Sequence, residues 1–534
     1  MTNEEATPLV KQLVAMVHRL VEENQEQSER LQQMRDEIAV LKGQKARPKF
    51  KASKMDEQTE PDKDKAEGDD DGTKKKRPGS GKCSKTAKLT IHHEQVIQPE
   101  EAIPDTARFK GYRDVVVQGL EMAANNTRYR LAVWQTVEGK LLTGKMPAGL
   151  EGHHFDPVLR GYILYQHHHC HVTQPLLAEQ LEEWGIQIST GQIDALLSGG
   201  QDEFHDEKNS ILVAGLEVSR SITVDDSGAR HQGKNGYVTQ IGNERFAWFG
   251  STGSKSRINF LELLHAGSLQ YQFGDEAREY LQEQGLSVAV RQALQSQPPV
   301  NIATRAQWAA YLDDLDITDE RHVRLITEGA LLGGLVQKGF NPDLAIISDG
   351  AGQFAILRHG LCWIHAERLI HKLIPANDLQ RQAVAYVRDQ VWSLYADLKA
   401  YKARPEAARI PEFESRFTAI FTQRTVYATL DQLLKRLHRH KDELLLVLQR
   451  PDIPIHTNGS ETDIRDFVKK RKVSGGTKSD LGRQCRDTFA SLKKTCRKLG
   501  ISFWQYLLDR LSLINAIPPL PTLIRNAATH YVLP

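Results

Sequence analysis

The chain is poor in several features that would assign it quickly. Its 534 residues hold five cysteines, Cys83, Cys170, Cys362, Cys485 and Cys496. They are odd in number and widely scattered, which excludes a disulfide framework and fits a reducing compartment. No run approaches the ~18 apolar residues of a membrane span, and the start, MTNEEATPLVKQ, has neither the basic n-region nor the apolar h-region of a secretory signal. A soluble, cytoplasmic protein with no membrane partner is expected. Charge of one sign is also missing, because 70 Lys and Arg face 68 Asp and Glu for a net charge of +2. Any surface for nucleic acid must therefore be local.

What the chain does have is length, enough for several domains. Residues 8–42 carry heptads, with Val10, Val17, Asn24, Leu31 and Ile38 at one core position and Leu13, Leu20, Gln27, Met34 and Leu41 at the other. This predicts a coiled coil, and Asn24 at an a-type position favours a parallel homodimer in register. Residues 43–82 lack large apolar side chains and are dense in both charges, so they read as a disordered linker. Residues 83–150 mix short β-like pieces (88–91, 114–117, 129–133) with polar turns and read as a small β or mixed module. Residues 167–171, HHHCH, invite a metal reading, but neighbours in one element point apart, and zinc sites prefer separated pairs. Within 151–200, residues 174–198 read as a helix-turn-helix: Leu177, Leu181 and Trp184 on one helix, Gly185 at the turn, then a second helix through Ile193 and Leu197. Gln192 on that helix would face DNA. A simple helical hairpin fits the spacing equally well.

Two strand-like runs end in acids. Residues 221–226, SITVDD, and 344–349, LAIISD, each deliver carboxylates to the rim of a sheet. The first run is followed by strands at 237–241 and 246–249, a helix from about Ser256, and mainly helical text over 275–340. The order β-β-β-α-β-α is that of a ribonuclease-H-like core, in which the first and fourth strands lie side by side. This core would span 215–375, be interrupted by a helical insertion over 376–450, and end at 451–515 before a tail at 516–534. The fold class is thus α/β and multidomain, with the coiled coil and helix-turn-helix ahead of the core. Carboxylates brought so close repel and are normally held by divalent cations; Mg²⁺ suits an oxygen-only set. Residues 455–472 offer a third acid, Glu461, with Asn458 and Ser460 as candidate helix caps and Arg465 and Lys469 further along the same face. Cys362 and His365 have a C-x₂-H spacing with no second pair nearby, which suits packing or positioning better than zinc.

Taken together, SITVDDS, IISDGAGQF, LCWIHAERL and NGSETDIR resemble, in this order, the motifs of the IS66 family of insertion-sequence transposases, a DDE group. The resemblance runs from roughly residue 155 to 511. It implies a DNA transposase in which Asp225, Asp349 and Glu461 are the catalytic acids and bind two Mg²⁺, with Mn²⁺ able to substitute. Asp226 competes with Asp225, although adjacent strand residues point to opposite faces. Arg465, Lys469, Lys470, Arg471 and Lys472 are the expected DNA contacts beside Gln192. The implied partners are transposon ends and target DNA, a second copy of the chain, and accessory proteins encoded by the element; nucleoid association would follow from DNA binding. The chain departs from the family pattern in lacking a cysteine-rich stretch after the coiled coil, in Thr462 after the Glu, and in the loose turn KRKVSGGTKSD. A structure-selective nuclease on the same fold and a non-catalytic coiled-coil DNA-binding protein are the alternatives.

Overall fold

A computed structural model describes residues 90–99, 107–296 and 302–529. The expected coiled coil (8–42) and linker (43–82) lie outside the described residues. Contacts divide the chain into a unit ending at Val116 and a second running from Val117 onward. The described residues of the first unit carry no regular secondary structure and are mostly exposed, so the β-like piece expected at 114–117 is not a strand. In the second unit the expected small β module reduces to one exposed antiparallel hairpin, β1 (Val133–Gln135) and β2 (Leu141–Thr143). The alternation in this region has no apolar face to bury, and pairing ends after three residues on each strand.

Among the described residues four helices precede the main sheet. Helix α1 (Pro157–His168) starts where the Asp156 carboxylate accepts the Leu159 N–H at 2.7 Å. Helices α2 (Gln174–Glu183) and α3 (Thr190–Ser198) form the pair read from the sequence, turning at Gly185, whose φ of 76° suits glycine. Leu177, Leu181, Ile193 and Leu197 bury their shared face. Helix α4 (Asp202–Val218) then leads into strand β3 (Ser221–Gly228).

Strands β4 (Tyr237–Gly242) and β5 (Ala247–Thr252) complete an antiparallel meander with β3. Helices α5 (Arg257–Leu264), α6 (Asp275–Glu283), α7 (Val288–Gln295), α8 (Arg305–Asp314) and α9 (Glu320–Gln337) follow, and the chain returns to the sheet as β6 (Ala345–Ser348) and β7 (Arg358–Leu361). The five-stranded order is β5-β4-β3-β6-β7, with β3, β6 and β7 parallel. The first strand of this sheet in chain order, β3, and the fourth, β6, are therefore neighbours, as the order of elements suggested. The four-residue run of β6 is wholly buried, which explains its lack of alternation.

The chain continues through α10 (Trp363–His371), α11 (Asp378–Ala403), α12 (Ile410–Thr422), α13 (Ala428–His438) and two single turns ending at Gln449. The stretch 376–450 is thus mainly helical. It packs on the core through Trp363, which is buried against Phe417 and Phe421 and donates its indole N–H to the Leu444 carbonyl at 2.8 Å. The next helix is α14 (Asn458–Ser474), followed by α15 (Asp480–Lys498), α16 (Phe503–Leu511) and α17 (Leu520–Thr529). Among the described residues no helix is long and apolar enough to cross a membrane.

The sheet is covered on both faces. Ile222 and Val224 of β3 point into the main core with residues of α5 and α9. On the opposite face Val238 and Phe249 meet Phe467 of α14, the two rings stacking at 5.7 Å. Helix α9 approaches the segment before α6 closely enough that Gln272 N–H reaches the Ala330 carbonyl at 2.8 Å. That approach requires Gly334, because a Cβ there would collide with the Gln270 backbone carbonyl. Gly334→Ala should therefore destabilise the chain by about 1–3 kcal/mol or more, read as a lower melting temperature; an unchanged melting temperature would show that this segment gives way freely.

Candidate active site

The alternation of β3 separates the two adjacent acids. Asp225 lies on the same face as Thr223, and register sets it opposite Gln240 of β4, on the face that α14 covers. Helix α14 is tied to this face at both ends: Ser460 and Thr223 share a hydroxyl–hydroxyl hydrogen bond of 2.5 Å, and the Arg471 guanidinium donates to Ser227 at 3.2 Å. Asp226 points to the other face, where it pairs with Lys255 and accepts from the Gln353 amide at 2.7 Å. Lys255 and Gln353 thus occupy Asp226, while Asp225 is left facing the helix that carries Glu461.

The second acid reaches the same level through the parallel pairing. Thr223 is opposite Ile347, so Asp225 and Asp349 each stand two residues further along neighbouring strands. Asp349 is exposed in the turn after β6 and accepts the Ala351 N–H at 3.0 Å. Gly350, with φ of 97°, makes this turn in a conformation that a side chain would strain. The Ser348 hydroxyl accepts the Gly350 N–H at 3.1 Å and bonds His359 Nε2 at 2.8 Å, while His359 Nδ1 meets Glu443 at 2.9 Å. Ser348 is fully buried, so its hydroxyl cannot meet a substrate. It braces the Asp349 turn against the helical insertion.

Glu461 sits in the first turn of α14 with its side chain 13% exposed. Arg368 of α10 grips it with both ends of its fork, Nη1 to Oε1 at 2.8 Å and Nη2 to Oε2 at 3.2 Å. Arg465 Nη2 lies at 3.3 Å and His365 Nε2 at 3.5 Å from the same carboxylate. Burial lowers the His365 pKa, with the Glu461 charge acting the other way. Burial also works against the Arg368 charge, but the paired Glu461 more than offsets it and the pKa is raised. Asn458 and Ser460, expected as caps, are instead the first and third residues of the helix; neither caps it, and Ser460 serves as the link to β3.

The three acids share one electrostatic environment. Burial, then the charges of Asp349, Asp226 and Glu461, push the Asp225 carboxyl up to about 7, against the Asp226 N–H that it accepts at 2.8 Å. A cation among these oxygens would relieve that repulsion, and an all-carboxylate donor set suits magnesium. Among the described residues no group of three or more His, Cys, Asp and Glu already stands in a metal-ligating arrangement. Both oxygens of Glu461 are taken by Arg368. The HHHCH pentad is likewise dispersed: His167 Nδ1 faces the Val172 carbonyl, His168 stacks on Phe489 and His169 on Tyr165. Cys362 is a buried free thiol just before α10.

The expected DNA contacts separate into two groups. Arg465, Lys469 and Lys472 are exposed along α14. Lys470 is buried, its ammonium donating to the His167 carbonyl, and beside it Lys493 donates to the His168 carbonyl at 3.3 Å. These two lysines satisfy carbonyls at the C-terminal end of α1, and burial with their mutual repulsion lowers Lys470 to about 7. Arg471 is turned back onto β3. Gln192 is exposed, but its side chain accepts the Ser189 N–H at 2.9 Å as half of the capping box that starts α3. His365, read from the sequence as a packing or positioning residue, stands beside Glu461; Arg368 is the site residue that the sequence reading missed, its signal being its place in the LCWIHAERL segment three residues after His365.

A raised Asp225 pKa links the site to stability. Between 3.8 and about 7 the folded chain holds a proton on Asp225 that the unfolded chain has released. Stability from this group is therefore present at low pH and lost as pH rises through 7. Asp225→Asn should stabilise the metal-free chain at pH 8 by about 1–2 kcal/mol after solvent screening, seen as a higher melting temperature in chelator, and should do so far less at pH 4. An equal gain at both pH values would contradict the assigned environment.

A family model described as Transposase IS66 family matches residues 343–485, a stretch holding Asp349, His365, Arg368 and Glu461. The uncharacterized protein y4jO of Sinorhizobium fredii is 47% identical over 321 residues, covering 60% of this chain and 100% of that protein. Residues 343–485 contain both acids that lie beyond the first strand, and the agreement with y4jO extends over the full length of that relative. The chain belongs to the IS66 family of transposases.

Proposed function

We propose that the chain is a DNA transposase of the DDE type, cutting at the ends of its element and joining them to target DNA, with Asp225, Asp349 and Glu461 as its catalytic acids. The observation that carries this reading is the parallel pairing of β3 with β6, which sets Asp225 and Asp349 level on neighbouring strands beneath the helix of Glu461. The strand order, three antiparallel strands followed by two parallel to the first, supports a ribonuclease-H-like core. Two magnesium ions bound by these acids, or manganese in their place, would activate a water or a 3′-hydroxyl and stabilise the leaving oxygen of a phosphodiester.

The residues themselves supply position and charge. Asp225 is held by β3 and by the Asp226 N–H, and Asp349 by the braced turn at Gly350. Arg465, Lys469 and Lys472 line the exposed side of α14 beyond Glu461, where they can meet backbone phosphates. The α2–α3 pair would act as a helix-turn-helix on the element's ends, and a homodimer in the cytoplasm, at the nucleoid when bound to DNA, follows from the heptad pattern of the sequence.

Two measurements test this reading. On a plasmid carrying the element with its flanks, Asp349→Asn should cut at least about 100-fold more slowly than wild type in Mg²⁺. Equal DNA processing by both would reject the catalytic reading and favour a DNA-binding protein; cleavage without joining would favour a structure-selective nuclease. Replacing Lys469 and Lys472 together with Ala should weaken duplex binding uniformly across sequences and reduce the salt slope by about 2. An unchanged slope would remove α14 from the DNA contact surface.

A further inference from the structure

Glu461 differs from the other two acids in already having cationic partners. Among the described residues, the hydrogen bonds to Asp225 and Asp349 come from backbone N–H groups, at 2.8 Å and 3.0 Å. Glu461 instead sits among two guanidiniums and an imidazole, with the Arg368 fork on both of its oxygens. One carboxylate cannot be fully committed both to that fork and to a cation beside Asp225. Arg368 is itself anchored on α10, whose first residue, Trp363, is buried, while its own side chain remains 34% exposed and reachable from solvent. A carboxylate that leaves this cluster uncovers a planar fork of donors, backed by His365 and Arg465. The group that such a fork fits is a second bidentate oxyanion, and on a nucleic acid that is a phosphodiester.

We propose that Arg368 is a phosphate-receiving residue held in reserve: it keeps Glu461 in an ion pair until a divalent cation draws that carboxylate toward Asp225 and Asp349, and it then takes a phosphodiester oxygen of the bound DNA strand. This rests on the reading of the three acids as a metal-binding set. The exchange is one of partners only, with no covalent step. It couples the two ligands, because metal frees the Arg368 fork for DNA and DNA occupies the competitor for Glu461. By linkage each must tighten the binding of the other by the same factor. His365 is a positioning residue in this scheme, standing beside both Glu461 and Arg368, at 3.5 Å and 3.3 Å.

The test uses the full chain and two binding measurements that need no turnover. Mn²⁺ affinity is measured without DNA by electron paramagnetic resonance, and affinity for a fluorescent duplex is measured in Ca²⁺ and in chelator at one salt concentration. Wild type should bind duplex about 3- to 10-fold more tightly in Ca²⁺, the range expected of a partly exposed bidentate pair. Arg368→Gln should bind Mn²⁺ more tightly than wild type without DNA, because Glu461 is released, and should lose the Ca²⁺ enhancement of duplex binding. Arg368→Lys keeps the cation but not the fork, and should move both quantities in the same direction by less; it carries the test if Arg368→Gln does not fold. A variant that binds Mn²⁺ and responds to Ca²⁺ as wild type does would overturn the proposal. Asp225→Asn separates the two levels of the argument: if it binds Mn²⁺ like wild type the metal site itself is wrong, whereas its loss of Mn²⁺ together with an unaltered Arg368→Gln sinks the exchange alone.

Discussion

The site depends on one short parallel pairing, Ser221–Thr223 of β3 against Ala345–Ile347 of β6. Three residues on each strand hold in register two segments that are remote in sequence, with the helices α5–α9 between them in the chain. Because side chains alternate along a strand, this register also decides which acids meet. A slip of one residue in β3 would turn Asp225 toward Lys255 and present Asp226 to α14. The wholly buried β6 resists such a slip, since every residue of Ala345–Ser348 is packed.

Gathering carboxylates costs free energy, and the fold handles each acid differently. Asp225 bears the cost directly: burial and the neighbouring acids push its carboxyl up to about 7. Asp349 remains in solvent, where water screens its charge, and its turn is braced through Ser348, His359 and Glu443. Glu461 is neutralised by Arg368. The metal-free chain can therefore hold three acids close together without strong repulsion among all of them. The helical insertion contributes to this arrangement from outside the sheet, because Glu443 and the Leu444 carbonyl fix His359 and Trp363 on either side of the segment that leads to Arg368.

Much of this was legible in the chain itself. Apolar runs ending in acids marked β3 and β6, and the order of elements placed them side by side, because both signals are local. The helical pair α2–α3 followed from apolar spacing and a turn glycine, and the helical character of 376–450 from its richness in Leu, Arg and Lys. What could not be read depends on contacts between distant positions. Arg368 finds Glu461 across 93 positions, and nothing in its own neighbourhood distinguishes it from a solvated surface arginine. Lys470 looked like its neighbours in a basic run, yet its ammonium meets a carbonyl 303 positions away and is buried. Ser460 had the composition of a helix cap, but a contact with Thr223 took its hydroxyl. Among the described residues of 83–150, weak β alternation produced only the short exposed hairpin β1–β2.

The most direct test of the account is a structure of the chain soaked with Mn²⁺, using anomalous scattering to locate the ions. The account predicts manganese bound by both Asp225 and Asp349, at oxygen distances of about 2.0–2.2 Å, with Asp226 still on Lys255. Manganese bound elsewhere, or held by Asp226 in place of Asp225, would contradict it.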